Sequence, residues 1–277
     1  MADHQDEDKD ENGDGDDTTW RRFAETAEEL LADGHLDAAL THAAAAYGLA
    51  EDTPRTHRGD AARVLASVHL ALGAPRPARR YAAEARASFE AAGRLETLEA
   101  AEVTHVWALT YLADGDLETA TPALEQSAAT FERVGSPHAL AGVLLTLAEV
   151  SLAMGEGDDA EGLLERVVRD VQAIDPEGEA HAEHLNALMG KAFLGLGSLA
   201  VQRGRRDEAR DRLSRAITFF EAAHGLAHPE TIEALDEVVA LYRRLGDEVS
   251  AAGAAEERAI AERELAARDA FGPVGRA

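Results

Sequence analysis

The chain has no cysteine, which excludes disulfides, thiol nucleophiles and thiolate metal sites. Lysine is almost missing too: only Lys9 and Lys191 occur, and every other basic side chain is an arginine. Aromatic residues make up 5% of the sequence against a hydrophobic fraction of 45% that is largely alanine. Sheets draw on aromatic and β-branched side chains, so this balance favours closely packed helices. No stretch alternates Val, Ile or Thr as a strand would. The longest apolar run, "LAGVLLTLAEVSLAMG", has helical periodicity and contains Glu149; it reads as too short and too charged to span a bilayer. The opening "MADHQDEDKDENGDGDD" has neither a basic nor an apolar region, so no secretion signal is expected and the expected location is the cytoplasm.

Acid dominates what is present. The chain carries 53 Asp and Glu against 27 Lys and Arg, a net charge of −26. Such a surface repels nucleic acid and anionic lipid, so neither is expected as a partner. Acid excess spread along the whole chain, with lysine scarce, resembles the proteins of salt-accumulating halophilic archaea; an acidic protein of an ordinary cytoplasm is the other reading. In molar salt the Debye length falls to about 3 Å, which screens most carboxylate repulsion. Residues 1–18 are acidic with no apolar anchor and are expected to form a disordered tail. From Trp20 to about Ala270 helical periodicity is nearly continuous, broken only by short Gly- or Pro-containing segments. "FGPVGRA" (271–277) ends it as a C-terminal tail.

The breaks repeat. "ADGHLDAAL", "ALGAPRPAR", "ADGDLETAT", "AMGEGDDAE", "QRGRRDEAR" and "RLGDEVSAA" place glycines at Gly34, Gly73, Gly115, Gly155, Gly204 and Gly246. Five residues after each stands an alanine: Ala39, Ala78, Ala120, Ala160, Ala209 and Ala251. A glycine can take the left-handed conformation that ends one helix, and an alanine lets the next helix approach the first. The interval between glycines lies in the range of helical repeat arrays. Ser136-Pro137 and Asp175-Pro176 read as helix starts, a capping side chain before a proline in the first turn. The segment from about Ser250 is polar on most faces, as a terminal repeat requires.

These residues resemble the tetratricopeptide repeat family. The third repeat matches through Trp107, Ala108, Tyr111, Gly115, Leu117 and Ala120, and the fifth through Leu196, Gly197, Ala200, Gly204, Ala209 and Ala216. The second offers Leu65, Ala66 and Gly73 but has His69 where an aromatic is usual; the sixth keeps Tyr242 and Gly246 before Arg258 and Ala259. Repeats one and four depart further, with Thr26 and Ser151 where bulkier residues are usual. "HGLAHPET" (224–231) resembles the inter-repeat loop of kinesin-light-chain-like arrays, with Pro229 suited to a helix start. The resemblance implies an all-α, right-handed solenoid of about six helix-turn-helix repeats, roughly 20–53, 59–92, 101–134, 141–174, 190–223 and 232–265.

Catalytic motifs do not stand up. Gly190-Lys191 lacks a phosphate loop's hydroxyl, since Ala192 follows, and Leu185 stands where its first glycine belongs. Gly195 and Gly197 have no preceding strand, so a dinucleotide fingerprint is not supported; Gly197 reads instead as a close helix contact and Gly204 as a turn, with Arg203, Arg205 and Arg206 solvated beside Asp207 and Glu208. Glu-x-x-His occurs at Glu102/His105 and Glu221/His224, and His181 and His184 stand one turn apart. Paired Glu-x-x-His motifs build di-iron bundles, but in a chain this rich in glutamate and histidine chance supplies such matches. No metal, cofactor or enzymatic activity is expected.

Recognition remains. In tetratricopeptide arrays the first helices of successive repeats line a concave groove, and that orientation makes Arg63, Ser67, Leu70, His105, Leu109, Leu112, Leu145, Glu149, Leu152, Lys191, Leu194 and Ser198 the groove candidates. The Lys/Asn/Arg cluster with which some relatives clamp a carboxylate is not evident. A leucine stripe suits an apolar peptide or an amphipathic helix; the plainer reading is that these leucines pack between helices. The chain is therefore expected to be a non-enzymatic scaffold that binds a protein or peptide, with self-association left open. The alternative is a regulatory sensor that binds a signal peptide or small ligand and controls a partner in trans. The charge makes its own prediction: helicity followed by far-UV circular dichroism should collapse in dilute buffer and recover in molar KCl, and full helicity in dilute buffer would reject the halophilic reading.

Overall fold

The computed structural model describes residues 14–51 and 53–271. They form twelve α-helices and, among the described residues, no strand. Two compact units divide the chain after Ser136. The first holds α1 (Asp14–Ala32), α2 (Leu36–Leu49), α3 (Arg55–Ala71), α4 (Pro75–Ala91), α5 (Leu98–Leu112) and α6 (Leu117–Val134). The second holds α7 (Pro137–Met154), α8 (Gly157–Gln172), α9 (Glu179–Gln202), α10 (Arg206–His224), α11 (Pro229–Leu245) and α12 (Glu248–Phe271). Within each unit consecutive helices pair as three hairpins, and the first helices of neighbouring hairpins also touch: α1 on α3 and α3 on α5, then α7 on α9 and α9 on α11. Each unit is thus a three-hairpin segment of α-solenoid.

The six hairpin turns share one hydrogen-bond scheme. Each repeat glycine has a positive φ between 67° and 80°, the left-handed cap that a side chain would strain. The residue after it donates its amide to the carbonyl four positions before the glycine: His35 to Leu30, Ala74 to His69, Asp116 to Tyr111, Glu156 to Ser151, Arg205 to Ala200 and Asp247 to Tyr242, all at 2.8–3.0 Å. This six-to-one bond closes the first helix. The alanine five residues on is at most 1% exposed in all six hairpins. With only a methyl group there, the second helix lies close against the first, and mixed cores of alanine with a few large side chains follow. In one, Ala39, Ala43 and Ala46 surround Trp20, Val64 and Leu65; in another, Ala62, Ala66, Ala82 and Ala85 surround Phe89.

Several sequence expectations need correction. Residues 14–18 belong to α1 and not to a tail. Residues 1–13 and 272–277 of the expected tails lie outside the described residues. Pro137 and Pro229 do open helices, but Asp175-Pro176 does not, because α9 starts at Glu179 after a non-helical connection. The fifth repeat accordingly begins before residue 190: α9 runs for 24 residues, and its extra turns bury Leu185, Leu188 and Met189. Helix α7, read as too short and too charged to span a bilayer, is by length and composition alone long and apolar enough to cross one. Its single carboxylate is Glu149, and nine of its residues, among them Val143, Leu144 and Leu147, are buried against neighbouring helices of its unit.

Two helical glycines separate propensity from packing. A Cβ at Gly197 in α9 would lie 2.5 Å from Leu213 Cδ2 and 2.8 Å from its Cγ, and Leu213 is fully buried with nowhere to retreat. A Cβ at Gly162 in α8 would meet nothing within 4 Å. Gly162→Ala should therefore raise stability by about 0.5–1 kcal/mol through helix propensity, whereas Gly197→Ala should lower it by about 1–3 kcal/mol through overpacking. Denaturant melts of both variants at one salt concentration check the opposite signs.

Candidate functional site

The groove candidates fall on the first helices of four hairpins, and each unit treats its share differently. In the first unit Arg63 of α3 occupies the middle of the face. Its guanidinium donates to Glu28 of α1 at 2.5 Å and to Glu102 of α5 at 2.8 Å, and the side chain is only 17% exposed. Burial works against the Arg63 charge, but Glu102 and Glu28 more than offset it, and its pKa rises. The Glu102 carboxyl is nonetheless held above its usual range, first by burial and then by Glu28 and Glu99. One arginine shared by two carboxylates satisfies neither fully. Ser67 donates its hydroxyl to the Arg63 carbonyl at 3.3 Å. Leu70, His105, Leu109 and Leu112 are half-buried on the same helices. This face is closed by its own ion pairs.

In the second unit the six remaining candidates converge. Leu145, Glu149 and Leu152 of α7 with Lys191, Leu194 and Ser198 of α9 line one open cleft of about 600 Å³. Its walls include residues that sequence reasoning missed: Leu164 of α8, Phe220 of α10, and Ala234, Glu230, Glu233 and Glu237 of α11. Leu145, Leu164, Phe220 and Ala234 are buried and make an apolar floor, while the glutamates stand exposed around it. Glu230, Glu233 and Glu237 are spaced i, i+3 and i+7, which puts them along one side of α11. That spacing was visible in the sequence, but only contact between α9 and α11 assigns that side to the cleft. Glu149 lines the cleft although its surface is largely open. Desolvation raises its pKa, Glu237 adds to the rise, and Lys191 opposes it.

Glycines let this wall form. A Cβ at Gly195 would come within 2.9 Å of Leu164 Cδ1, and one at Gly190 within 3.0–3.1 Å of the Phe220 ring. Gly190, the residue that gave Lys191 its likeness to a phosphate loop, is therefore a packing glycine in mid-helix. Two of the three arginines at the Gly204 turn are not merely solvated. Arg203 donates to Asp158 and Glu161 of the preceding hairpin, each at 2.5 Å, and Arg205 lies 3.4 Å from Glu161 and from Glu208.

Both Glu-x-x-His matches contain a residue held by a local partner. Glu102 is held by Arg63, and His224 stacks on His228 with its Nε2 3.3 Å from Glu230. His181 and His184 do meet, around His138, with ring centroids 5.7 and 6.5 Å from it. Among the described residues no group of three or more His, Asp or Glu side chains is arranged to hold a metal ion.

BtubC (BKLC) from P. vanneervenii superposes with a TM-score of 0.61 at 20% identity, covering 94% of this chain and 96% of its own. The nearly identical TPR-like repeats of a Podosopora anserina kinesin-light-chain candidate give 0.57 at 20% identity over 78% of this chain and 99% of theirs. The fold is TPR-like. The apo quorum sensor NprR from B. thuringiensis superposes at 0.71 with 11% identity, over 92% of this chain and 71% of its own; NprR in complex with its cognate peptide NprX gives 0.64 at 10%, over 93% and 74%. No protein-family model matches the chain, and no curated protein does. The TPR-like likeness therefore rests on hairpin geometry, which six turns and six buried alanines reproduce at low identity.

His105 makes a pH prediction. Desolvation lowers its pKa to about 4 from the usual 6.5, so it is neutral in the fold at pH 7. Between those values the unfolded chain binds the extra proton and the fold does not, so stability falls as pH drops from about 6.5 towards 4. The loss attributable to this side chain should be on the order of 2 kcal/mol. Denaturant melts of wild type and His105→Gln between pH 7 and 4.5 should show a smaller pH dependence in the variant.

Proposed function

We propose that this chain is a non-enzymatic interaction module that holds a peptide or helix of a partner protein on the face built by α7, α9 and α11. One observation carries the reading: an apolar-floored cleft of about 600 Å³ runs across the first helices of three successive hairpins. Extended peptides and amphipathic helices are recognised on such surfaces, where a few apolar anchors contribute affinity and a polar rim sets orientation. The charge balance of 53 acidic to 27 basic residues supports a protein partner over nucleic acid or anionic membrane, and a cytoplasmic setting belongs to the same reading. The first unit's face, closed by Arg63 between Glu28 and Glu102, serves in this view as support more than as a second binding groove.

A second reading draws on NprR, whose fold is known both without ligand and with its cognate peptide NprX. By that likeness the chain is a sensor whose hairpins move when the cleft fills, acting on a partner in trans. A photo-crosslinking residue placed at Ser198, in the cleft, should capture partner in cells at native salt. The same residue at Arg169, exposed on α8, should not. Equal capture at both positions rejects the groove. Spin labels on α7 and α11 then separate the two readings: an unchanged distance on partner binding favours the scaffold, a shifted one the sensor.

A further inference from the structure

We propose that the cleft of the second unit selects a basic amphipathic segment, its apolar side chains seated on Leu145, Leu194 and Phe220 and its Lys or Arg side chains reaching Glu149, Glu233 and Glu237. This rests on the groove reading and adds the chemistry of the occupant. The two units differ in how they treat one shared pattern of charge. Each sets an acid, a base and an acid on three successive first helices: Glu28, Arg63 and Glu102 in one, Glu149, Lys191 and Glu237 in the other. In the first unit the cation grips both carboxylates. In the second, Lys191 makes no ion pair with Glu149 or Glu237 among the described residues and acts on Glu149 only at a distance. Glu230 has His224 beside it, which leaves Glu149, Glu233 and Glu237 facing one lysine.

An uncompensated acidic rim above an apolar floor is complementary to one class of ligand. A neutral apolar peptide would fill the floor and leave the carboxylates desolvated without partners, at a cost. A cation beside them would relieve the mutual repulsion that Glu149 and Glu237 now share. Glu233 and Glu237 stand one turn apart on α11, so cations one turn apart on a helical ligand would meet them while its opposite stripe enters the cleft. A second copy of this chain, at net charge −26, or its own acidic N-terminal residues, would bring like charge to the same rim. Direct ion pairs also persist in high salt, where long-range attraction is screened, so the selection would work in the medium the composition implies.

Three fluorescent helical peptides test this against the full-length protein in molar KCl. They share leucine anchors at i, i+3 and i+7 and carry Lys, Gln or Glu at the flanking positions. The Lys peptide should bind about tenfold more tightly than the Gln peptide, as several partly exposed ion pairs together allow, and the Glu peptide more weakly than either. The variant Glu149→Gln/Glu233→Gln/Glu237→Gln should bring the Lys peptide to within about twofold of the Gln peptide, whose own affinity stays unchanged. A benzophenone on the Lys peptide should crosslink wild-type protein within residues 145–152, 191–198 or 230–237. Equal affinities, or preference for the Glu peptide, with crosslinks still at these residues would overturn the basic ligand and leave the groove standing. Binding by none of the three, or crosslinks confined elsewhere, would overturn both. Self-association in sedimentation that is lost when the Lys peptide is added would assign the cleft to a second copy and overturn the proposal.

Discussion

The approach of two helices within each hairpin is the constraint on which the rest of the structure depends. It is set by a glycine that closes one helix and by an alanine, five residues later, that lets the next lie against it. At most 1% of each of those six alanines is exposed, so no hairpin has room for a larger side chain there. Within each unit, close approach inside hairpins brings the first helices of successive hairpins side by side. Their spacing in turn lines up Leu145, Leu194 and Ala234 as one floor. The cleft is therefore a product of repetition: no single hairpin contains it.

Charge is organised by the same geometry. The acid excess is not left as uniform repulsion, because arginines bind hairpin to hairpin at the places where turns and helix ends meet. Arg79 reaches Thr110 and Asp114, Arg203 reaches Asp158 and Glu161, and Arg210 reaches Asp247, which is almost buried. The planar guanidinium serves two acceptors at once, and its flat face also covers aromatic rings, as Arg79 covers Tyr111 and Arg86 covers Trp107. Lysine, a point charge with a large hydration shell, does neither as well. The one lysine in the described residues, Lys191, sits where no such double grip forms, and the second unit keeps its open acidic face.

How far the molecule was legible in its sequence differs between fold and site. Each repeat turn was legible because a left-handed cap and a close helix contact leave few residue choices, so Gly204 and Ala209 state their roles directly. Six of the twelve groove candidates share the cleft because all lie on first helices at matching register. Boundaries were less legible where alternatives are close in energy: Asp175-Pro176 has the composition of a helix start, yet α9 opens at Glu179. Arg63 was read as a groove residue, but its role comes from Glu28 and Glu102, each more than thirty residues away.

By itself the sequence determined the helix-only architecture, the six turns and the acidity. All of these follow from local backbone preference, small-residue spacing and net charge, which need no knowledge of what touches what. The tertiary structure alone decided that one face is closed by a shared arginine and another left open beneath glutamates. It also decided that Leu164 and Phe220 from second helices complete the floor. Those facts depend on side chains from separate hairpins meeting, and the energy of such a meeting is fixed by distance and burial rather than by position along the chain.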